Sequence, residues 1–367
     1  MGVLEFRLKK PIQPLTSAWQ KLPVVRRGST RLGFSFRPLQ AAAFGLEVRP
    51  TLQALLTHPF QIVRLGAYWN RMEPEPGLFQ PDELDWQVET AERAGKQIIL
   101  SLGPLKNFGY PEFFVPGHYL RQPFPEHKLI KPSEYPGLLQ AAIEFINRLV
   151  ERYKQYESII AWQLEHAAID TLGVEHTWRL ETEFVTQEVA ALRKADATRP
   201  VIMNGYLPTT SLLRLWVWSM THDQGDSLAL AQRIANIVGI DYYPRFPFKP
   251  SGNKTLYYDG SQSPWLRNRI RKLLPREGMT AKRLMITEGQ AEPWEVETVP
   301  TNPINQGLFS CLPEHLISNY NTCMGCVEGQ NPLYAYLFWG AEYWLLRKQS
   351  GDPSYLQTFD RILEKSS

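Results

Sequence analysis

Hydrophobic positions along the chain fall into two periods. Short, nearly continuous apolar runs occupy Thr30–Phe36, Ile62–Tyr68, Gln97–Leu102, Ile159–Glu165, Pro200–Met203, Ile237–Tyr242, Arg283–Thr287 and Leu333–Phe338. Runs of this kind, bounded by turn residues, read as strands buried on both faces. Longer segments between them repeat at i, i+3, i+4 and i+7. The clearest are Pro81–Ala94, Pro136–Tyr156, Thr177–Ala195 and Cys311–Cys323, with a last helix at Tyr355–Glu364. In the second of these, Leu139, Ala142, Ile143, Ile146, Leu149 and Val150 fall on one face, as an amphipathic helix requires. Strand followed by helix, repeated eight times, predicts an α/β chain closed as a (β/α)₈ barrel. The pattern makes residues 30–367 one barrel domain and residues 1–29 a short extension. The extension has three prolines and little periodicity, and is expected to pack against or close the barrel bottom. The proline-rich stretch Asn107–Glu134 reads as a rim loop after the third strand.

Polar and aromatic residues gather just after the strands: Arg37, Trp69, Asn70, Asn107, His166, Asn204, Tyr243, Glu288 and Trp339. Barrel active sites lie at that end, because loops there vary without disturbing the packed core. Glu288 is the sharpest of these positions. The apolar run Leu284–Ile286 ends in Thr287 and Glu288, and a loop with Gly289 and Trp294 follows. A strand built this way delivers one carboxylate to the barrel mouth.

Composition narrows the function. With 367 residues, 43% of them hydrophobic, the chain can bury a large core. Its net charge of +3 is too small for a nucleic-acid binder. The charge is uneven, however: residues 1–37 hold eight Lys or Arg against one Glu. Two readings follow, a solvated basic arm or peripheral contact with an anionic membrane or acidic partner. No apolar stretch approaches the roughly 18 residues of a spanning helix, and the N-terminus has no apolar signal core. Three cysteines imply no disulfide framework. The pair Cys323 and Cys326, with Cys311 and His315, has the residue types of a zinc site, but reduced thiols around a helix are the commoner outcome. We read no metal and no cofactor, and expect a cytoplasmic protein. His222, Asp223 and Asp226 read as a solvated acidic turn rather than a metal site.

Six short motifs occur in order: RLGAYWNRMEP from Arg64 to Pro74, YPEF from Tyr110, WQLE from Trp162, DYYP from Asp241, ITE ending at Glu288, and WGAEYW from Trp339. The set resembles the retaining β-glycosidases of the large TIM-barrel glycoside hydrolase clan, the cellulase and β-galactosidase relatives. It spans roughly residues 30–365. The resemblance implies a carbohydrate or glycoside substrate. It implies a nucleophilic carboxylate about 5–5.5 Å from a second carboxyl that serves as acid and then base. Glu288 takes the nucleophile position. Arg64 and Tyr243 are then expected to hydrogen-bond it, Trp339 to form the platform under the sugar, Trp69 and Trp294 to wall the pocket, and Asn70 to bind hydroxyls.

The chain departs from this pattern after the fourth strand. The clan sequence resembles Trp-Gln-x-Glu-Asn-Glu, with the last Glu as acid/base. Here the matching residues are Trp162, Gln163, Leu164, Glu165, His166 and Ala167. His166 replaces the Asn that contacts the sugar 2-hydroxyl, and Ala167 stands where the proton donor should be. Strand alternation places Glu165 on the face of position 167 but about 6–7 Å deeper. There it belongs to the polar interior or the floor of the sugar site. Three substitutes stay open: His166, whose ordinary pKa near 6.5 suits proton transfer; Glu175 or Asp170 reaching back from the next loop; or none. The functional alternative is a carbohydrate-binding or regulatory pseudo-glycosidase.

Overall fold

Eight parallel strands close into a barrel: β1 (Arg31–Ser35), β2 (Ile62–Gly66), β3 (Gln97–Ser101), β4 (Ile159–Gln163), β5 (Val201–Tyr206), β6 (Ile237–Tyr242), β7 (Arg283–Gln290) and β8 (Ala335–Trp339). They run in chain order around the barrel, with β7 pairing both β6 and β8 and β8 closing on β1. The structure is a computed structural model that describes residues 3–8, 17–120, 122–171, 176–251, 254–274, 282–295, 309–327 and 332–367. All eight expected strands are present, shifted by a few residues at their ends.

The continuous apolar runs are explained by burial on both faces. Ile62, Ile99, Ala161, Ile202, Ile237, Met285 and Leu337 fill the barrel interior near its floor. The opposite faces of the strands pack on the helices. Helix Pro136–Tyr153 buries Leu139, Ala142, Ile146, Leu149 and Val150 of the expected face, with Ile143 half-buried and Leu138 and Phe145 buried beside them. The C-terminal helix Ser354–Lys365 lays Phe359 and Ile362 on the same core.

The expected Thr177–Ala195 helix begins only at Thr182. Arg179 and Leu180 instead pair with Leu129 and Ile130 as a two-residue parallel strand. The extension does more than sit at the barrel floor. Trp19 enters the core, and Val25 is bonded through its backbone to Asn321 and Tyr320. Strand Val3–Leu8 pairs antiparallel with Lys254–Asp259, which pairs with Arg245–Ser251. This three-stranded sheet follows directly from the mouth end of β6.

Candidate active site

β7 is irregular where it matters. Its register shifts against both β6 and β8 between Ile286 and Glu288–Gly289. An irregularity of this kind re-aims a side chain, and it sets Glu288 at the barrel mouth, 3% exposed. Two donors converge on its carboxylate. Arg64 from β2 reaches Oε1 through Nη2 at 2.7 Å, and the Tyr243 hydroxyl donates to Oε2 at 2.7 Å. Arg64 is itself fully buried and fixed: its Nε donates to Ser35 Oγ at 2.8 Å and its Nη1 to Gln163 Oε1 at 3.1 Å. The expected Arg64–Glu288–Tyr243 grouping is therefore assembled.

A directed chain of hydrogen bonds sets the state of His166. Arg64 can only donate, so Gln163 must present its carbonyl to it. The Gln163 amide then donates to Asn204 Oδ1 at 3.0 Å. That leaves Asn204 Nδ2 to donate to Asp241 Oδ2 at 2.7 Å and to His166 Nδ1 at 2.9 Å. Nδ1 accepts, so the imidazole carries its proton on Nε2. Burial pushes the His166 pKa down to about 4; Glu288 pulls it up, and Arg64 and Lys106 add to the fall. His166 is thus neutral near pH 7, although its Nδ1 lies 3.5 Å from Glu288 Oε1. Burial works against the Glu288 charge, and a protonated His166 would oppose it, but that charge is absent at neutral pH. Arg64 and Tyr243 remain to favour the charge; together with a protonated His166 they bring the Glu288 carboxyl below its ordinary value. For Asp241, burial and the Glu288 charge push the carboxyl well up, despite donors from Thr287 and Asn204.

The linkage for His166 has a definite sign. Unfolded, it binds a proton near pH 6.5; folded, it resists until about 4. Its contribution to stability is complete above the unfolded value and is lost as pH falls through that window. Nitrogen-detected NMR should find a neutral Nε2–H imidazole down to about pH 5. A midpoint at or above 6.5, or a proton on Nδ1, contradicts the network.

Ala167 lies beside the cluster: its N–H is 3.4 Å from Asn204 Oδ1. The backbone here leaves the strand conformation, with φ of 30° at Glu165 and 44° at Ala167. That corrects the expectation for Glu165. It does not alternate as a strand residue. It turns away from the sugar side and accepts from the N–H groups of Leu105 and Lys106 at 3.0 and 2.6 Å. Burial raises Glu165 to about 7, and burial with the Glu165 charge pushes the equally buried Glu188 well above its ordinary value. Glu165 is therefore a brace between the loops after β3 and β4. Gly103 shows how tightly they meet, since a Cβ there would lie 3.0 Å from Glu165 N and 3.1 Å from Glu165 Cα.

Asp170 is also committed elsewhere. It accepts from Tyr206 N–H at 2.9 Å and from Ser227 N–H, tying its loop to the end of β5. Burial lifts its carboxyl to about 6. Glu175 lies outside the described residues.

Trp339 and Tyr243 form one aromatic cluster with Phe108, and Tyr206 and Trp294 pack on it. Trp294 meets Tyr243 edge-on at 5.3 Å, as expected of a pocket wall. Arg37 lies 4.4 Å from the Trp339 ring and is clamped by Glu342 and Glu292. The platform is thus tied to the loops after β1, β7 and β8. Trp69 is not part of this wall. It is fully buried in the outer layer, stacked on Phe145 at 5.3 Å and bonded to Glu73. The reason is local: Trp69–Met72 is a short helix that turns Trp69 toward helix Pro136–Tyr153. Asn70, on the same turn, is half-buried and donates its N–H to Phe114 O at 2.7 Å.

His166, Asp241 and Glu288 each offer a ligand atom within 4.8 Å of the others, the one such metal-capable group among the described residues. Each carboxylate oxygen and the His166 Nδ1 already accepts from Arg64, Tyr243, Thr287 or Asn204, and a cation there would face a buried guanidinium. The cysteines are not gathered as a fourfold site. Cys311 contacts Gln290 O, and burial pushes the Cys323 and Cys326 thiols up.

No family model matches the sequence, and no curated protein matches it. Solved structures do. GH5_18 from Streptomyces cattleya, in complex with GlcNAc, aligns with a TM-score of 0.56 at 12% identity, covering 86% of this chain and 70% of that one. Native xylanase 10B from Thermotoga maritima aligns at 0.55 and 14%, covering 93% and 98%. The exo-β-1,4-mannosidase Op5Man5 from Opitutaceae bacterium strain TAV5 aligns at 0.52 and 13%, covering 89% and 55%. The fold is a (β/α)₈ barrel of the kind these glycoside hydrolases share. At these identities the likeness is one of fold.

Lys106 and Phe108 escaped the sequence reading of the site. Lys106 is buried and donates through Nζ to Ala167 O at 2.8 Å, so it clamps the loop after β4. Burial pushes its pKa down, and Glu112, Asp170, Glu165 and Asp241 pull it back. Phe108 lies 4.1 Å from the Arg64 guanidinium and edge-on to Trp339. Both sit in an irregular rim loop, where no periodicity points to a function.

Proposed function

We propose that the protein is a retaining β-glycoside hydrolase or transglycosylase with Glu288 as nucleophile and the usual acid/base missing. The observation that carries this reading is the state of Glu288. It is a buried carboxylate kept ionised by Arg64 and Tyr243, at a barrel mouth walled by Trp339, Trp294 and Phe108. Aromatic faces suit the C–H faces of a sugar, and the anion below them can attack the anomeric carbon. The structural neighbours named for sugars and glycosidase activities support the substrate class.

The chemistry differs from the ordinary double displacement at one step. Glu288 forms the glycosyl ester as the aglycone oxygen leaves with the bond pair. With Ala167 at the donor position, that oxygen departs unassisted. Neutral His166, with its proton on Nε2, is a hydrogen-bond donor rather than a strong acid. Activated aryl glycosides should therefore be cleaved and simple alkyl glycosides hardly at all, a difference of about 10²–10⁴ in the first step beyond that of an enzyme with its acid. The same alanine favours the second reading, a binding protein descended from such enzymes. Rapid-mixing kinetics with a graded series of aryl and alkyl β-glycosides separates them. A burst of released phenol equal to the enzyme concentration supports the enzyme. Tight binding of the aryl glycosides with no burst supports the binding protein.

A further inference from the structure

Helix Ser211–Thr221 is inside out. Its sequence, SLLRLWVWSMT, is mostly apolar, yet only Val217 and Thr221 are buried. Leu212, Leu215, Trp216 and Trp218 stand 76, 59, 47 and 60% exposed. Only Val25 and Leu78 join them as exposed large hydrophobics among the described residues, so the apolar surface is concentrated on this helix. The helix is formed, since the Thr210 side chain caps it by accepting from Leu213 N–H at 3.0 Å. Concentrated exposed apolar surface marks a binding face.

Its place is the rim of the active-site mouth. Tyr206, at the end of β5, packs on the aromatic cluster around Trp339. Leu212 follows six residues later in the chain, within about 20 Å even if the link were fully extended. Tyr258, on the sheet that also holds strand Val3–Leu8, reaches Thr209 O just before the helix.

The surroundings are basic. Arg214 is exposed on the helix itself. Helix Pro264–Leu273 carries Arg267, Arg269, Arg271 and Lys272 and no acid. Arg269 faces Arg214 closely enough to feel its charge. Asp226, whose charge reaches Arg269, caps helix Ser227–Ile234, and Asp223 is paired with Arg179.

We infer that this helix docks the barrel mouth on an anionic lipid bilayer. Eleven residues make a helix of about 16 Å, about half the hydrocarbon thickness, so it lies in the interface plane. Trp and Leu enter the acyl boundary while Arg214 and Arg269 meet headgroup phosphates. A second copy of the chain fits poorly, because a two-fold contact would set this cationic patch against itself. Together with the proposed hydrolase activity, docking makes the substrate class a β-glycoside with a lipid aglycone, presented at the membrane surface.

The test is co-sedimentation of the full-length protein with phosphatidylcholine vesicles, with and without phosphatidylglycerol. Binding is expected to the anionic vesicles and to weaken with salt. Each of Leu212→Ser, Trp216→Ser and Trp218→Ser should lower partitioning by about tenfold. Arg214→Glu combined with Arg269→Glu should abolish the preference for anionic lipid. These side chains are outside the core, so the variants should keep the burst with water-soluble aryl glycosides. Glu288→Gln should bind vesicles as wild type does, which separates failure of docking from failure of the catalytic reading. Absence of wild-type binding to anionic vesicles overturns the inference. So does unchanged binding of the three serine variants. So does a protein dimer that the serine variants dissociate, which would assign the patch to a second copy.

Discussion

Glu288→Gln is expected to reduce turnover of an activated aryl β-glycoside by roughly 10⁴-fold or more, the usual scale for loss of a covalent nucleophile. The amide keeps the shape of the carboxylate and can still accept from Arg64 or Tyr243. The fold should therefore persist, and the loss should fall on the chemical step. Burst kinetics on the purified variant check this, with thermal unfolding as the control. A burst of wild-type size in a folded variant would remove Glu288 from the mechanism.

The second large effect concerns Ala167. Restoring a carboxyl with Ala167→Glu should raise turnover of alkyl glycosides by about 10²-fold or more, because their leaving oxygen needs a proton. Activated aryl glycosides should gain little in the first step. Their burst should shrink, since the new carboxylate activates water and empties the intermediate faster. The substitution asks no new backbone conformation, because Ala167 already holds a left-handed φ of 44° without being glycine. Lys106, donating to Ala167 O, should keep the loop in place. If alkyl glycosides gain no more than aryl ones, the missing carboxyl is not what limits the wild type. Azide offers a check on the unmodified protein. A small anion beside the alanine should release the sugar as a β-glycosyl azide.

The barrel was legible because parallel strands buried on both faces leave continuous apolar runs, and the helices between them bury one stripe. Arg64, Tyr243, Glu288 and Trp339 were legible because strand ends fix where a side chain points. The misplacements share one cause, a backbone that leaves the strand a residue or two early. Trp69 begins a short helix and faces Phe145. Glu165 takes a left-handed turn and braces the neighbouring loop. The strand Arg245–Ser251 was hidden by Pro247 and Pro250, residues that argue against pairing, and its register shifts between Pro247 and Lys249. Helix Ser211–Thr221 gave no amphipathic signal, because its apolar residues surround it rather than form a stripe. The neutral state of His166 could not be read from its neighbours in sequence. It depends on Arg64, Gln163 and Asn204, delivered by three different strands.

The central claim is that Glu288 is a working nucleophile, and trapping its ester tests this most directly. The full-length protein is incubated with 2-fluoro β-glycosides bearing activated leaving groups, one sugar at a time, and weighed by intact-protein mass spectrometry. The account predicts a stable gain of one 2-fluoroglycosyl unit for at least one sugar, located by peptide mapping on Glu288 and absent in Glu288→Gln. An adduct on a different residue, or no adduct with any sugar from a protein that binds those sugars, would contradict it.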